Sequence, residues 1–341
     1  MDFNSAHNRN ETVYQLLLDI KEGRKDFTEK PYDLKGIVLP GKDLSGMDLS
    51  GVDLSGADLT EADLSEAKLF KANLNHAVLL RANLESAELS GADLTEALLE
   101  EANAKRTGLG MACLKKAHMF RCNLEESTLS LADFEDADLR STNLSNARIR
   151  ETKLIGADLT NANLQNADMS LSIVNKATFN NADLRESRLR AMSGFESADW
   201  IGVDTRNVSF AGAYRLRRLI ADQNYIKEFR QANKVNAFLY YIWWLTSDCG
   251  RSMLRWCLCI FVLVFFFAWL YSFVDIDYGD HRTSISPIYF SVVTLTTLGY
   301  GDVYPASTGG QIVAMMEVIS GYMMLGGLLS IFSNKIARRA D

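Results

Sequence analysis

The sequence predicts a chain with two kinds of structure: a solenoid of short coils, followed by an α-helical domain with two membrane-spanning helices. Three observations predict this fold class. Large apolar residues recur at every fifth position from Leu34 to Leu189, two long apolar runs lie toward the C-terminal end, and a loop with alternating glycines separates those runs. The chain has 341 residues, which is long enough for two or more domains.

The period of five determines the fold of the repeat. In an α-helix five residues rotate by about 140°, and in a continuous strand successive leucines alternate between the faces, so neither structure buries the whole set. A chain that turns one corner per repeat points each large residue inward, together with the small residue two positions before it. The coils then stack about 4.8 Å apart, which is the spacing of neighbouring strands. Ala104 is the single small residue at the large position.

Triplets such as Ala57-Asp58-Leu59 and Ala72-Asn73-Leu74 resemble the A-(D/N)-L-x-x pattern of pentapeptide-repeat proteins. The resemblance implies a right-handed quadrilateral β-helix with four repeats in each coil. We assign residues 34–215 to this domain and residues 1–33 to an N-terminal capping segment. Within the cap, residues 11–22 have the pattern of an amphipathic helix that covers the open end of the solenoid.

The register of the repeat shifts by one residue after Leu189. The large positions continue at Phe195, Trp200 and Phe210, with Ser193, Ala198 and Val208 as their small partners. One inserted residue near Gly194 explains the shift.

A helical connector is predicted over residues 216–250. It combines an amphipathic segment around Tyr225 and Phe229 with an aromatic segment, residues 238–244, directly before the first apolar run. Trp and Tyr favour the boundary between water and lipid, so the aromatic segment indicates a helix lying along the membrane surface.

The remaining residues, 251–341, contain two candidate transmembrane spans. Residues 256–274 carry no charge, and residues 312–334 carry only Glu317, so both runs approach the roughly 20 apolar residues that cross a bilayer. Basic residues lie at the start of the first span and after the second span, and the segment that connects the two spans is acidic. The basic set is Arg251, Arg255, Lys335, Arg338 and Arg339, and the connecting segment carries Asp275, Asp277, Asp280 and Asp302 against Arg282. The positive-inside rule therefore predicts a multi-pass protein of the cell membrane with both termini in the cytoplasm.

The loop between the spans has the features of an ion path. Ser286 is a good N-cap and Pro287 a good first helical residue, so a short helix over residues 287–296 should lead into it. Gly299 and Gly301 tolerate positive φ, which lets successive carbonyls point the same way. A row of aligned carbonyls above the Thr297 hydroxyl can replace the water shell of a cation. One chain supplies one wall, so several copies around an axis are needed.

The segment TTLGYGD, preceded by YFSVVTL, resembles the selectivity filter and pore helix of potassium channels. The resemblance implies a homotetramer in the lipid bilayer with potassium ions in the filter. It assigns potassium coordination to Thr297, Leu298, Gly299, Tyr300 and Gly301, with the first four as direct ligands. Leu298 stands where valine is commonest in the family. Tyr300 stands where non-selective relatives carry an acid, which favours selectivity for potassium.

Further positions are assigned around this filter. Asp302 is expected to bond Tyr289, which stands where the family often has a tryptophan, and Thr296 precedes the filter. Glu317 is expected to accept hydrogen bonds behind the filter, because an unpaired acid within a membrane is costly. Gly321 falls at the position of a gating hinge, with close helix packing as the alternative. The resemblance makes Tyr322, Leu325, Leu329 and Ser333 pore-lining residues.

Composition argues against other classes of function. The formal net charge of −7 gives no basis for a nucleic-acid partner. The four histidines are dispersed, and the five cysteines show neither metal-ligand spacing nor a disulfide framework. We therefore expect no enzyme and no organic cofactor.

Two functions remain. The first is a tetrameric potassium channel whose cytoplasmic repeat domain acts as a scaffold or as a gating or assembly module, with a surface for an unknown cytoplasmic protein or ligand. The second is a membrane-anchored repeat scaffold that binds a protein partner and has a non-conducting pore domain. The intact filter motif counts against the second, because an anchor needs no such loop.

Overall fold

A computed structural model describes residues 3–22, 34–250, 252–279 and 283–340, and gives only the backbone for residues 3–8 and 334–340. Several positions used in the charge analysis lie outside the described residues or side chains: Arg251, Asp280, Arg282, Lys335, Arg338 and Arg339. Residues 23–33 of the predicted cap also lie outside them. The chain divides into two compact units, Met1–Lys227 and Glu228–Asp341, which are described in turn.

The first unit is a four-sided β-helix, as the period of five predicts. Each residue in the middle of a side pairs in parallel with the residue 20 positions later, from Val38 with Asp58 to Ile173 with Ser193. Twenty residues therefore make one coil of four repeats. Hydrogen bonds between coils, such as Leu64 N–H to the Asn83 carbonyl at 2.7 Å, satisfy the backbone along the stack.

The core of the β-helix consists of the large and small positions of the repeat. Leu64, Ala67 and Leu124 are completely buried, and Ala104, the small residue at a large position, is 1% exposed. Most hydroxyls at the small position bond a backbone carbonyl either of the preceding coil, as Thr107 does to Leu84 at 2.9 Å, or three residues earlier, as Ser127 does to Leu124 at 2.6 Å. The corner two residues after each large position adopts positive φ, whether it holds glycine or a residue such as Glu61.

The outward residue of one side forms a continuous polar ladder. Asn83, Asn103, Asn123, Asn143 and Asn163 each donate a side-chain hydrogen bond to the residue one coil earlier, over 3.0–3.2 Å. Each of these residues also accepts a bond from the backbone N–H two positions later, with donor–acceptor distances of 3.2–3.4 Å. The ladder thus fixes both the spacing of the coils and the corner that follows.

The register shift after Leu189 is present where it was predicted. The pairing distance changes from 20 residues at Ile173–Ser193 to 21 at Thr178–Asp199. Gly194, with φ of 77°, and a 3₁₀ turn at Phe195–Ser197 take up the inserted residue. The assignment of Ser193 as an inward position was wrong, because Ser193 is exposed and Met192 is buried instead. Phe195 lies in the inserted turn and packs against the core. The inward pattern resumes at Ala198 and at Trp200, which is fully buried.

Each end of the β-helix is covered by a helix. At the N-terminal end, α1 (Phe3–Lys21) begins earlier than the predicted residue 11. Leu17 of α1 packs into the core, and Lys21 forms an ion pair of 2.8 Å with Asp43. That bond, with two from Ser45, lowers the pKa of Asp43 to about 2. At the other end, Leu216 and Ile220 of α2 (Tyr214–Ala232) are buried.

Two amide side chains of α2 complete the last coil. Gln223 accepts a hydrogen bond from Trp200 N–H at 2.7 Å and donates to the Ala198 carbonyl at 3.1 Å. Asn224 accepts from Gly202 N–H at 2.6 Å and donates to the Trp200 carbonyl at 3.4 Å. These amides take the place of the backbone of a further coil, so the sheet edge has no free pairing groups at these positions.

The second unit is helical. It contains the end of α2, α3 (Lys234–Ser247), α4 (Met253–Leu270), α5 (Ser286–Leu295) and α6 (Thr308–Ala340). The two units meet inside α2, so the helices of the predicted connector, residues 216–250, are shared between them. A short antiparallel pair, β1 (Ile276–Asp277) and β2 (Tyr304–Pro305), joins the segments that flank α5.

Within the described residues, two helices are long and apolar enough to cross a membrane, Met253–Phe273 and Thr308–Ser333. Most of their large side chains are exposed, among them Phe261, Val262 and Met323. An apolar helix whose side chains face outward is expected for a segment surrounded by lipid. Both spans begin before the predicted residues 256 and 312.

We predict that replacing Gln223 and Asn224 by alanine opens the last coil of the β-helix. Each substitution leaves a backbone group of residues 198–202 without a partner, at a cost of about 1–3 kcal/mol of local stability. Hydrogen exchange measured by mass spectrometry should then be faster at Trp200 and Gly202. Arg217→Ala, at an exposed position of the same helix, is the control and should leave exchange unchanged. Unaltered exchange in the double variant would refute this role of the amides.

Candidate functional site

The candidate site is the loop that follows α5. This helix begins at Ser286, one residue before the predicted start, with Ile285 at the N-cap position. The prediction of Ser286 as N-cap was therefore wrong: its hydroxyl accepts a hydrogen bond from Thr283 N–H at 2.8 Å instead. Pro287 occupies the first turn, where its missing N–H costs nothing.

The carboxyl end of α5 leads directly into the loop. Thr297 N–H bonds the Thr294 carbonyl and Leu298 N–H bonds the Val293 carbonyl, both at 3.0 Å. The Thr296 hydroxyl donates to the Val292 carbonyl at 2.6 Å. The partial negative charge at the end of the helix is therefore held next to the loop, where it favours a cation.

The backbone of the loop alternates in handedness. Thr297, Gly299 and Gly301 have φ of 54°, 53° and 79°, whereas Leu298 and Tyr300, which lie between them, are not among the positive-φ residues. Alternation of this kind turns successive carbonyls toward one side, which a regular strand does not do. The positive φ of Thr297 was not predicted, since β-branched residues rarely adopt it.

Side chains behind the loop connect it to its surroundings. The Tyr289 hydroxyl donates to Asp302 Oδ2 at 2.6 Å and so joins α5 to the residue after the motif. Asp277 lies on the nearby β1, where hydrogen bonds from the Tyr304 hydroxyl and Gly279 N–H hold the pKa of its carboxyl below the ordinary value. Asp277 therefore stays ionised at neutral pH, next to Tyr304 of β2, which follows the loop.

Glu317 of α6 is completely buried and links three helices. Its Oε2 accepts a hydrogen bond of 2.5 Å from the Tyr271 hydroxyl, which follows α4. Its Oε1 accepts from the Ser291 hydroxyl of α5, which also contacts the Val264 carbonyl of α4. The sequence pointed to Glu317 but not to Tyr271 and Ser291, although each is a hydroxyl within an apolar stretch.

Gly321 lies where α6 crosses the end of α5. A Cβ at this position would overlap the Leu295 carbonyl group. Gly327 is similarly close to the indole ring of Trp256, whose Nε1 donates to the Met324 carbonyl at 2.8 Å. Nothing lies within 4 Å of a Cβ built on Gly326. The contact at Gly321 supports the packing alternative, and α6 remains helical through this residue.

The four residues predicted to line a pore share an exposed face of α6. Tyr322, Leu325 and Leu329 are 54–62% exposed, and Ser333 is also exposed. Their spacing places them on one side of the helix. Tyr322 and Leu325 border a cleft of about 250 Å³ that reaches Thr296 and Thr297. The structure therefore brings the exposed face of α6 and the start of the loop to one space.

Within the described residues, no cluster of three or more His, Cys, Asp or Glu side chains offers a metal site. The groups available to a cation are therefore the backbone carbonyls and the Thr297 hydroxyl. Dehydrated monovalent cations bind to oxygen ligands of this kind.

Two family models match the chain. A model described as "Ion channel" matches residues 259–338, which include α5, the loop and α6. A model of pentapeptide repeats matches eight copies over residues 33–65, 62–100, 82–119, 117–154 and 152–190.

Curated potassium-channel proteins are similar to part of the chain. The calcium-gated potassium channel TvoK of Thermoplasma volcanium is 37% identical over 70 residues, which are 19% of this chain and 20% of that protein. Two-pore potassium channel 1 of Arabidopsis thaliana is 44% identical over 54 residues, 15% of each protein. The chain thus spans a fifth or less of the length of these relatives.

Solved structures match the first unit. HetL, a pentapeptide-repeat protein of the cyanobacterium Nostoc, is 26% identical, with 58% of this chain and 94% of HetL covered and a TM-score of 0.28. QnrB1, a plasmid-mediated fluoroquinolone resistance protein, is 21% identical, with 54% and 95% covered and a TM-score of 0.37.

We predict that Gly321→Ala lowers the stability of the protein and that Gly326→Ala does not. The added methyl group at Gly321 meets a backbone carbonyl that cannot move without shifting α5, at a cost of about 1–3 kcal/mol. At Gly326 the methyl group meets open space and gains about 1 kcal/mol of helix propensity. The measurement is the thermal unfolding midpoint of the detergent-solubilised protein. Equal midpoints for the two variants would refute the packing role of Gly321.

Proposed function

We propose that this chain, in which an ion-channel domain of the potassium-channel type is fused to a pentapeptide-repeat β-helix, forms a tetrameric potassium-selective channel. The observation that carries the proposal is the alternating handedness of Thr297, Gly299 and Gly301. It gives the loop a row of carbonyls with a common direction. No other loop of the described residues combines this backbone with the carboxyl end of an apolar helix.

Selectivity follows from the ligands. In the proposed channel a potassium ion sheds its water and binds the carbonyls of Thr297, Leu298, Gly299 and Tyr300, with the Thr297 hydroxyl at the inner end. Because the carbonyl is the ligand, Leu298 in place of the commoner valine leaves the site intact. The bond between Tyr289 and Asp302 acts as a brace that keeps the carbonyls at the spacing that potassium requires.

Four chains are needed to close the filter, because one chain supplies one wall. Large exposed apolar side chains of the two spans, such as Phe265 of α4 and Ile319 of α6, supply surface for lipid and for neighbouring copies. The exposed face of Tyr322, Leu325, Leu329 and Ser333 lines the path below the filter. Gly321 acts there as a packing residue and, in a channel that opens by bending α6, as the hinge.

The proposed location is the cell membrane, with the chain crossing it twice and both termini in the cytoplasm. The two apolar helices support membrane insertion. The excess of basic residues beyond the spans supports the orientation, which places Asp277 and Asp302 at the outer mouth, where they attract cations.

The repeat domain is proposed to regulate gating or assembly. Its backbone is bonded continuously from coil to coil, so a force applied at one end reaches the other with little loss. The second candidate function, a membrane-anchored scaffold for a protein partner with a non-conducting pore, draws support from the extensive surface of the β-helix. Both matched families are in general not enzymes, and no enzymatic role is proposed.

We predict that the purified protein in planar bilayers passes potassium in strong preference to sodium. Gly299→Ala and Gly301→Ala should abolish selective current, because alanine resists the positive φ that aligns the carbonyls. Leu298→Val changes only a side chain and is the matched control that should stay selective. Reversal potentials in mixed salts measure the result. Equal permeability to the two ions in the parent protein would refute the proposed function.

We predict that a chain starting at Glu228 still forms a selective tetramer but opens with a different probability. The filter and both spans lie within this unit, whereas the regulatory surface is removed with Met1–Lys227. Light scattering in detergent reports the assembly, and single-channel recording reports the gating.

Three outcomes of that experiment are informative. A full-length monomer or dimer would contradict the tetramer. Identical gating with and without the repeat domain would contradict its regulatory role. A full-length tetramer that never conducts would favour the scaffold.

A further inference from the structure

One face of the β-helix differs from the rest in how its cations are paired. Four arginines are exposed on one side of the β-helix, and we call them the arginine face. One coil carries Arg148 and Arg150, and the second coil after it carries Arg188 and Arg190. Within the described part of the chain, their side chains make no hydrogen bond or ion pair. Most other cations of the β-helix pair with carboxylates, often one coil away, as in Arg81–Glu61 at 2.6 Å, Arg121–Glu101 at 3.7 Å and Lys153–Asp133 at 3.3 Å.

The carboxylates around the arginine face leave it positive. Asp168 lies between Arg148 and Arg188 in the stack, but its Oδ1 accepts hydrogen bonds from the N–H and the hydroxyl of Ser170. Glu151 and Glu186 lie at the two neighbouring corners. Four arginines and one central carboxylate give the side itself an excess of three positive charges.

The corner beside this face carries exposed apolar side chains. Met111 and Leu131 lie in neighbouring coils, and Leu171 lies two coils after Leu131 with Glu151 between them; the three apolar residues are 64%, 54% and 44% exposed. We call them the apolar corner. Leu131 and Leu171 have φ of 65°, a conformation that bulky residues rarely adopt. Large apolar side chains that are exposed to water in this conformation indicate a surface that another molecule covers.

We propose that the arginine face and the apolar corner dock on an anionic lipid surface. Unpaired arginines attract the phosphate groups of anionic lipids by their charge, and leucines beside them enter the boundary between headgroups and acyl chains. A soluble phosphate compound or a nucleic acid uses the arginines but leaves the leucines in water, so the combination favours a bilayer. The chain carries its own candidate spans, which hold the β-helix close to a membrane and raise the effective concentration of lipid. The proposal rests on membrane insertion and is independent of ion conduction.

The test uses the full-length protein reconstituted in vesicles. A photo-crosslinking residue, p-benzoylphenylalanine, replaces Leu171, and mass spectrometry identifies what it captures. The matched control places the same residue at Asn161, an exposed corner with φ of 60° that lies half a coil away and therefore on the opposite edge. Vesicles consist either of phosphatidylcholine alone or of equal parts phosphatidylcholine and phosphatidylglycerol.

We expect lipid adducts at position 171 in the anionic vesicles, far fewer in the neutral vesicles, and few at position 161 in either. Replacing the four arginines by glutamine should reduce the adducts by about fivefold per arginine, because each contributes about a factor of five to binding near an anionic surface. Replacing them by lysine should retain most adducts, which shows that the charge is responsible and that the fold is intact. Arg81→Gln with Arg121→Gln, on an ion-paired face, should have no effect.

Several results would overturn the proposal. These are equal capture at positions 161 and 171, capture at 171 that ignores the lipid charge, or persistence of adducts in the glutamine variant. Capture of a second copy of the chain at position 171 would assign the surface to an interface between protomers. The adducts are measured by mass spectrometry and not by ion current, so the test is valid even if the protein does not conduct ions.

Discussion

A backbone carbonyl removed from water has to find a partner, and both units of this chain are built around that requirement. In the β-helix a neighbouring coil supplies the partner, and at the last coil the side-chain amides of Gln223 and Asn224 donate to the carbonyls of Ala198 and Trp200. In the second unit the helices satisfy their own carbonyls. The loop after α5 differs, because positive φ at Thr297, Gly299 and Gly301 turns its carbonyls out of such pairing. In the proposed channel a cation is the partner of these carbonyls, so the loop that departs from the rule is the functional part.

The same loop depends on rigid packing behind it. Gly321 lets α6 approach the end of α5, and Glu317 joins α6 to hydroxyls of Tyr271 and Ser291. Contacts among α4, α5 and α6 thus support the loop that follows α5. A polar group in this position is costly unless fully bonded, so the site also requires that the three helices stay together.

The sequence predicted the architecture of the β-helix in detail, because a strict repeat applies the same constraint many times. The insertion near Gly194 was visible as a break in that repeat, although the inward residue before it is Met192 and not Ser193. The order of spans, pore helix and loop was also predictable, since hydropathy and the glycine spacing are local signals. Three features were not predictable: the partners of Glu317, the amide side chains that cover the last coil, and the positive φ of Thr297. They depend on which distant residues are brought together by packing. The ion pairs on the surface were not predicted either, because they join residues 20 positions apart and so depend on the length of the coil.

The coil length also has a consequence for how such a chain changes in evolution. Each repeat occupies one of four sides, so gain or loss of four repeats leaves every later residue on its original side. Gain or loss of one repeat turns everything after it by a quarter, and the ladder of Asn83 to Asn163 would then face two directions instead of one. Surfaces that extend over several coils therefore restrict viable changes in length to whole coils. A surface on the β-helix can therefore be lengthened or shortened in steps of twenty residues without moving the later residues to another side.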